Sequence, residues 1–345
     1  MQATEAKSGR YSRQVVLPEV GREGQERLAG SRVLVLGLGA LGTVLAGTMV
    51  RAGVGFVRLV DRDFIELNNL QRQVLFDEQD IADGLPKAVA AARKLARANS
   101  SVTVEPVVAD VTARNIERLV QDCDLVLDGS DNFEVRLLLN DACLKLRKPW
   151  VYGAAIGTIG MTMPLLPGEG PCFRCLVPSP PAAGAVPTCD LVGVLGTAPQ
   201  LVAALQATEA LKLLAGHREA LCRSLRFIDL WTGTMEEIDV GEGDPRCPAC
   251  AGNRFDYLEG TAGSVTLRLC GGTAVQVDPG RKAAPELATL AARLAPLGEV
   301  SCSAYLLRFR AGEKELALFA DGRAIIQGAR DEAEARSLYA RYVGL

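Results

Sequence analysis

The 345-residue chain sets 38 Lys and Arg against 41 Asp and Glu, a net charge of −3 with both signs interspersed, which excludes the basic stripe that a nucleic-acid backbone requires. Its length exceeds one ordinary hydrophobic core and predicts a large domain over 1–260 followed by a smaller one over 261–345. No apolar run is long and charge-free enough to span a bilayer, and the N-terminal MQATEAKSGRYSRQ has no hydrophobic signal core, so a cytoplasmic protein without membrane or nucleic-acid partners is expected.

Residues 11–17 read as an extended segment. A β-rich apolar run at 32–36 then meets Gly37-Leu38-Gly39-Ala40-Leu41-Gly42 and a helical stretch to Ala52, and a strand over 56–61 completes a βαβ unit. Glycines between strand and helix let backbone N–H groups approach phosphates at the positive end of the helix dipole. Asp61 ends the next strand, about twenty residues beyond the turn, where an acidic side chain accepts ribose hydroxyls. Those features alone serve ATP and NAD equally.

Helices over 85–98, 112–121 and 134–146 alternate with strands over 102–108, 125–128 and 150–152. Such alternation predicts an α/β fold, a Rossmann-like, doubly wound and mainly parallel sheet with helices on both faces. Residues 164–187, rich in Pro and Gly, read as a long crossing loop of a length that is commonly functional. A helix over 195–214 and paired strands over 224–231 and 234–240 follow. From about 263 the chain starts again as a small α+β domain of unassigned role, with strands over 265–269, 305–310 and 316–319 and helices over 286–294 and 331–342.

Ten cysteines in a chain of this length point to metal binding or catalysis rather than to a disulfide scaffold. Cys172/Cys175 and Cys247/Cys250 form two C-x-x-C pairs, the usual ligand set of a tetrahedral structural zinc, and four thiolates leave no open position for an activated water. Neither pair opens a helix after a strand, as a thioredoxin-like redox motif would. Cys123, Cys143, Cys222, Cys270 and Cys302 occur singly and read as packing residues. His217, the one histidine, reads as a solvated residue at a helix end, which leaves no Ser-His or Cys-His pair in prospect.

The features that discriminate between nucleotides follow Asp61. They are Asp61-Arg62-Asp63, Asn68-Asn69-Leu70-Gln71-Arg72-Gln73, Pro86-Lys87 and Asp128-Gly129-Ser130-Asp131-Asn132, preceded by Arg10-Tyr11-Ser12-Arg13-Gln14. Taken singly, Lys87 would be a solvated helix residue and Asp131 a helix N-cap. In their joint order and spacing, over residues 10–250, they resemble the ubiquitin-activating-enzyme superfamily, specifically the bacterial adenylyltransferases for the sulfur carriers of thiamine and molybdopterin biosynthesis.

That resemblance implies ATP-dependent adenylation of the C-terminal Gly carboxylate of a ubiquitin-like carrier ending in Gly-Gly, with release of pyrophosphate and preparation for thiocarboxylate formation. It places phosphate-holding cations at Arg72 and Lys87, a Mg2+-associated carboxylate at Asp131, a polar phosphate contact at Asn69 and the ribose contact at Asp61. Gly37, Gly39, Ala40, Gly42, Asp63, Gln73 and Asn132 complete the expected nucleotide site. Ala40 departs from the glycine that relatives often carry, adding a methyl but keeping the helix N–H. Attack of a carboxylate on the α-phosphate brings anions together, so positioned cations are required.

The resemblance also implies a homodimer in which Arg13 reaches the partner's ATP. Cys189 matches a loop cysteine that forms a covalent intermediate in some members and is dispensable in others, and Asp190 beside it would raise the thiol pKa. Residues 261–345 carry no rhodanese-type active loop, so the sulfur donor is expected to be a separate protein. Three rivals remain: a conjugation pathway through a Cys189 thioester, a zinc-stabilised binding module without catalysis, and an NAD-dependent oxidoreductase, which would leave Arg72, Lys87 and Asp131 unexplained.

Overall fold

The computed structural model describes residues 9–180, 192–260, 274–277 and 286–343. It is helical within the arm predicted to be extended over 11–17, as α1 (Ser12–Val15), and α2 (Gly21–Gly30) follows before the first strand. Tertiary docking supplies what local propensity lacks. Asn99 Nδ2 donates to Tyr11 Oη at 2.7 Å, and Gln14 Nε2 donates to Ala52 O at 3.0 Å. α2 packs closely through a glycine: a Cβ on Gly24 would lie 3.3 Å from the Ala215 side chain.

The predicted alternation follows, as β1 (Arg32–Leu36), α3 (Ala40–Ala52), β2 (Phe56–Asp61), α4 (Glu78–Ala82), α5 (Lys87–Ala98), β3 (Thr103–Val108), α6 (Ile116–Val120), β4 (Leu125–Asp128), α7 (Phe133–Leu146) and β5 (Trp150–Ile156). β1 pairs in parallel with both β2 and β4, β2 with β3, and β4 with β5. The strand order therefore reverses between β1 and β4, and a crevice opens there at the carboxyl ends of the strands. Leu34 and Leu36 join Val126, Leu137 and Ile116 in one core cluster, while Val33 and Val35, also fully buried, point to the opposite face.

β5 runs beyond its predicted end and turns back into β6 (Ile159–Leu165), followed by α8 (Phe173–Leu176), α9 (Thr197–Ala215), β7 (Leu225–Asp229) and β8 (Thr234–Ile238). The eight-stranded sheet is thus parallel through β5 and antiparallel beyond it. The expected loop from 164 begins two residues inside β6. β7 pairs only with Ile159 to Thr162, so Pro164 sits at an edge where its missing N–H is tolerated. Asp190, Cys189 and the rest of 181–191 lie outside the described residues, as do Cys270 and the strand predicted at 265–269.

The chain divides into two units, Met1–Gly263 and Ser264–Leu345. The second contains β9 (Ala274–Val277), α10 (Leu287–Leu294), β10 (Glu299–Cys302), β11 (Leu306–Ala311), β12 (Lys314–Phe319), β13 (Ala324–Gln327) and α11 (Glu332–Tyr342). Its five strands form an antiparallel sheet in the order β10-β11-β12-β13-β9 around a core that includes Phe309, Leu318 and Tyr339. The sequence pattern does not announce β9, β10 or β13, because four residues are too few to display a period.

Candidate nucleotide and metal sites

Two glycine turns meet at the reversal point. Gly37 leaves β1 with φ +86°, and a Cβ there would lie 2.7 Å from Gly129 O, while a Cβ on Gly129 would lie 2.6 Å from Gly37 O. Gly42 is as constrained, 1.8 Å from the same Gly37 oxygen. These glycines bring the turn after β1 against the loop after β4, backbone on backbone. Gly39, the N-cap of α3, differs: nothing lies within 4 Å of its missing Cβ. The space beside Gly39 at the α3 N-terminus is open, a position where helix N–H groups receive anions, and Ala40 is half-buried in the first turn.

Asp61 closes the other side of the turn. Its Oδ2 accepts from Leu38 N at 2.6 Å and its Oδ1 from Asp63 N at 2.7 Å, and each oxygen keeps a lone pair. Burial pushes its pKa up, the Lys87 cation pulls the other way, and the net direction is upward. Lys87, the first residue of α5, is buried with Nζ 3.5 Å from Asp63 Oδ2. Burial disfavours its charge, yet the carboxylates of Asp61, Asp63 and Asp131 outweigh it and raise the pKa, so the side chain is a cation at neutral pH. Asp131 itself is exposed.

The Asn68-to-Gln73 segment is held by hydrogen bonds of its own. Asn69 is buried, donates to Asn68 Oδ1 at 2.6 Å and accepts from Glu66 N at 3.2 Å. Gln73 is also buried, and its Oε1 lacks a hydrogen-bond partner. Arg72 is half-buried and donates to Asn68 O at 2.8 Å. Asn132, not Asp131, is the N-cap of α7: its Oδ1 accepts from Glu134 N at 2.8 Å and Val135 N at 3.3 Å. That capping commits the Asn132 oxygen to the helix and leaves the Asp131 carboxylate without a capping role.

Arg13 is not brought to this cluster. It is exposed on α1, whose Gln14 binds Ala52 O at the far end of the 13-residue α3. A helix of that length separates its two ends by about 20 Å.

The four predicted thiols do converge. Sγ separations are 3.9 Å for Cys172 to Cys175, 3.7 Å for Cys172 to Cys247 and 3.5 Å for Cys175 to Cys250, and all four atoms lie within 4.8 Å of one another. A tetrahedron with Zn–S bonds of about 2.3 Å has edges of about 3.8 Å, so the cluster fits zinc in size and in donor chemistry. α7 holds both cysteine-bearing segments: Asn140 Oδ1 accepts from Phe173 N at 2.8 Å and Asp141 Oδ2 from Tyr257 N at 2.9 Å. His217 lies just past α9, half exposed beside Glu219, in keeping with the sequence.

Sequence reasoning missed the buried polar groups beneath the crevice. Arg136 Nε donates to Asp128 Oδ2 at 2.9 Å, and Gln206 Nε2 donates to Asp128 O at 2.9 Å and Val151 O at 3.1 Å. The available signal was an arginine opening the apolar Leu137-Leu138-Leu139 run of α7.

A sheet doubly wound about β1 and β4, with room for phosphates at one glycine turn and a buried lysine among carboxylates beside it, defines a nucleotide-binding protein of the Rossmann-like class. The ThiF family matches residues 11–249, and the chain belongs to it. The sulfur carrier protein ThiS adenylyltransferase of Bacillus subtilis is 41% identical over 340 residues, 98% of this chain and 100% of that protein. A sulfur carrier protein adenylyltransferase of Thermus thermophilus is 43% identical over 255 residues, 72% of this chain and 93% of the relative. The crystal structure of E. coli MccB shares the fold, with TM-score 0.62 at 24% identity over 70% of this chain and 72% of that one.

Proposed function

We propose that the chain adenylates the C-terminal Gly carboxylate of a ubiquitin-like sulfur-carrier protein with ATP, releasing pyrophosphate and preparing the carrier for thiocarboxylate formation. The observation that carries the chemistry is the crevice at β1 and β4, where an open glycine turn faces a buried, charged Lys87 among Asp61, Asp63 and Asp131. The substrate class is supported by similarity to a ThiS adenylyltransferase along the full length of both chains.

On this reading the α3 N–H groups and Asp61 orient the nucleotide, while Lys87 and Arg72 hold phosphate oxygens as charge develops. Asn69 lines the phosphates, and Gln73, buried in the same segment, supports it. The carrier carboxylate attacks the α-phosphorus, the bond to the bridging oxygen breaks, and pyrophosphate leaves as an acyl-adenylate forms. Mg2+ supplies neutralisation of the phosphates, and the exposed Asp131 carboxylate is an oxygen donor suited to it. Zinc at the four thiols serves the fold, tying together segments 75 residues apart.

Arg13 acts across a homodimer. An arginine side chain is far shorter than the roughly 20 Å of α3 that separates it from its own crevice. A cytoplasmic setting keeps thiols reduced for metal binding, and a separate protein supplies the sulfur. Mass spectrometry of a Gly-Gly-ended carrier incubated with enzyme and ATP tests the reading. A carrier heavier by one adenylyl group is expected, and an unchanged carrier mass with ATP intact overturns it.

A further inference from the structure

Asp128 and Arg136 form an ion pair sealed beneath the crevice. Asp128 is fully buried at the end of β4, and its Oδ1 accepts from Ser130 N at 2.9 Å and Ser130 Oγ at 2.6 Å while Oδ2 receives Arg136 Nε at 2.9 Å. The same guanidinium, through Nη2, reaches Ser130 O at 2.5 Å and Gly153 O at 3.0 Å. One planar fork thus joins β4, the loop before Asp131, and β5, which the point charge of a lysine does not do. The rings of Tyr152 and Phe133 flank it at 5.2 Å and 5.7 Å.

Asp131 stands between two pinned residues, Ser130 on one side and the α7 cap Asn132 on the other. Buried ion pairs are a weak source of stability, since apolar groups of equal volume commonly serve as well. What this pair adds is geometry: the backbone that presents Asp131 is fixed through Asp128 and Arg136.

We propose that Arg136 is a positioning residue for adenylation, acting through Asp128 and the Ser130 carbonyl to hold the Asp131 carboxylate where the metal ion accompanying ATP is met. This rests on the adenylation reading above.

Arg136→Lys keeps the charge but reaches either Asp128 or the Ser130 carbonyl, not both. ATP binding is measured by calorimetry in EDTA and in Mg2+, alongside carrier-dependent pyrophosphate exchange. The variant is expected to bind metal-free ATP like wild type, to lose the enhancement that Mg2+ brings, and to fall about 10- to 100-fold in kcat. Wild-type Mg2+ enhancement and kcat overturn the proposal. So does an equal loss of metal-free ATP affinity, the mark of a general loosening of the crevice. Should Arg136→Lys fail to fold, Asp128→Asn, which keeps an acceptor for Nε, is titrated in the same way; the same losses are expected of it, and the same two results overturn the proposal. A wild-type protein without Mg2+-dependent ATP binding removes the adenylation reading and this proposal together, whereas wild-type exchange beside an unaffected variant removes Arg136 alone.

Discussion

Lys87 carries a charge that its burial opposes and three carboxylates restore. Such a cation is preorganised, since it needs no reorganisation when phosphate charge develops. Lys87→Ala is therefore expected to lose about 10²- to 10³-fold in carrier-dependent pyrophosphate exchange with its circular dichroism spectrum retained, and undiminished exchange contradicts the role. Asp141 is the converse case, a carboxyl raised by burial from 3.8 to about 6, with the Tyr257 N–H pulling the other way. A group raised in the folded state contributes stability below its ordinary pKa and loses it as pH climbs through about 6. Asp141→Asn keeps the acceptor for Tyr257 N, so its stability relative to wild type should improve from about pH 4.5 to about pH 7 in urea unfolding. An offset that does not change with pH contradicts this. At this scale the sequence was legible in the turn at Gly37 and in the acidic neighbours of Lys87, which the fold brings to one crevice. The Asp128–Arg136 pair was not, because a buried ion pair joining β4 to α7 leaves no period in the chain.

β1 and α9 were readable from the sequence as long apolar runs, buried on both faces of the sheet in one case and along most of a 19-residue helix in the other. α1 was not, since it is four residues long with no buried residue and is held through the polar contacts of Tyr11 and Gln14. The two cysteine segments were readable for another reason: C-x-x-C spacing is set by metal geometry, not by packing. α8 is only four residues long, and nothing in so short a helix would fix it without cross-links. Cys250→Ser should lower zinc content below one per chain and the thermal midpoint by at least roughly 5 °C, because even ~2 kcal/mol moves a domain of this size by several degrees. Elemental analysis and calorimetry check both. A variant equally stable and metal-free like its parent refutes the staple.

Across the whole molecule, the position of Arg13 carries the largest consequence. It is held at the far end of α3 from the crevice, so an active site that uses it draws on a second copy of the chain. Arg13→Ala and Asp131→Ala should each lose most exchange activity. Mixed under conditions that exchange subunits, they form heterodimers with one intact site and one doubly damaged site, and part of the activity returns. If mass measurement shows heterodimers while no activity returns, Arg13 acts within its own chain or not at all. The sequence alone could suggest this arrangement only through resemblance, because distance along α3 is a property of the fold.

Carrier-dependent exchange of labelled pyrophosphate into ATP tests the central claim most directly. With Mg2+, ATP and a panel of Gly-Gly-ended carriers, exchange is expected for at least one carrier, and none once that carrier's terminal glycines are removed, since the reacting carboxylate is then misplaced. Exchange that proceeds equally without any carrier, or fails with every carrier while the protein binds ATP and folds normally, contradicts adenylation of a carrier carboxylate at this crevice.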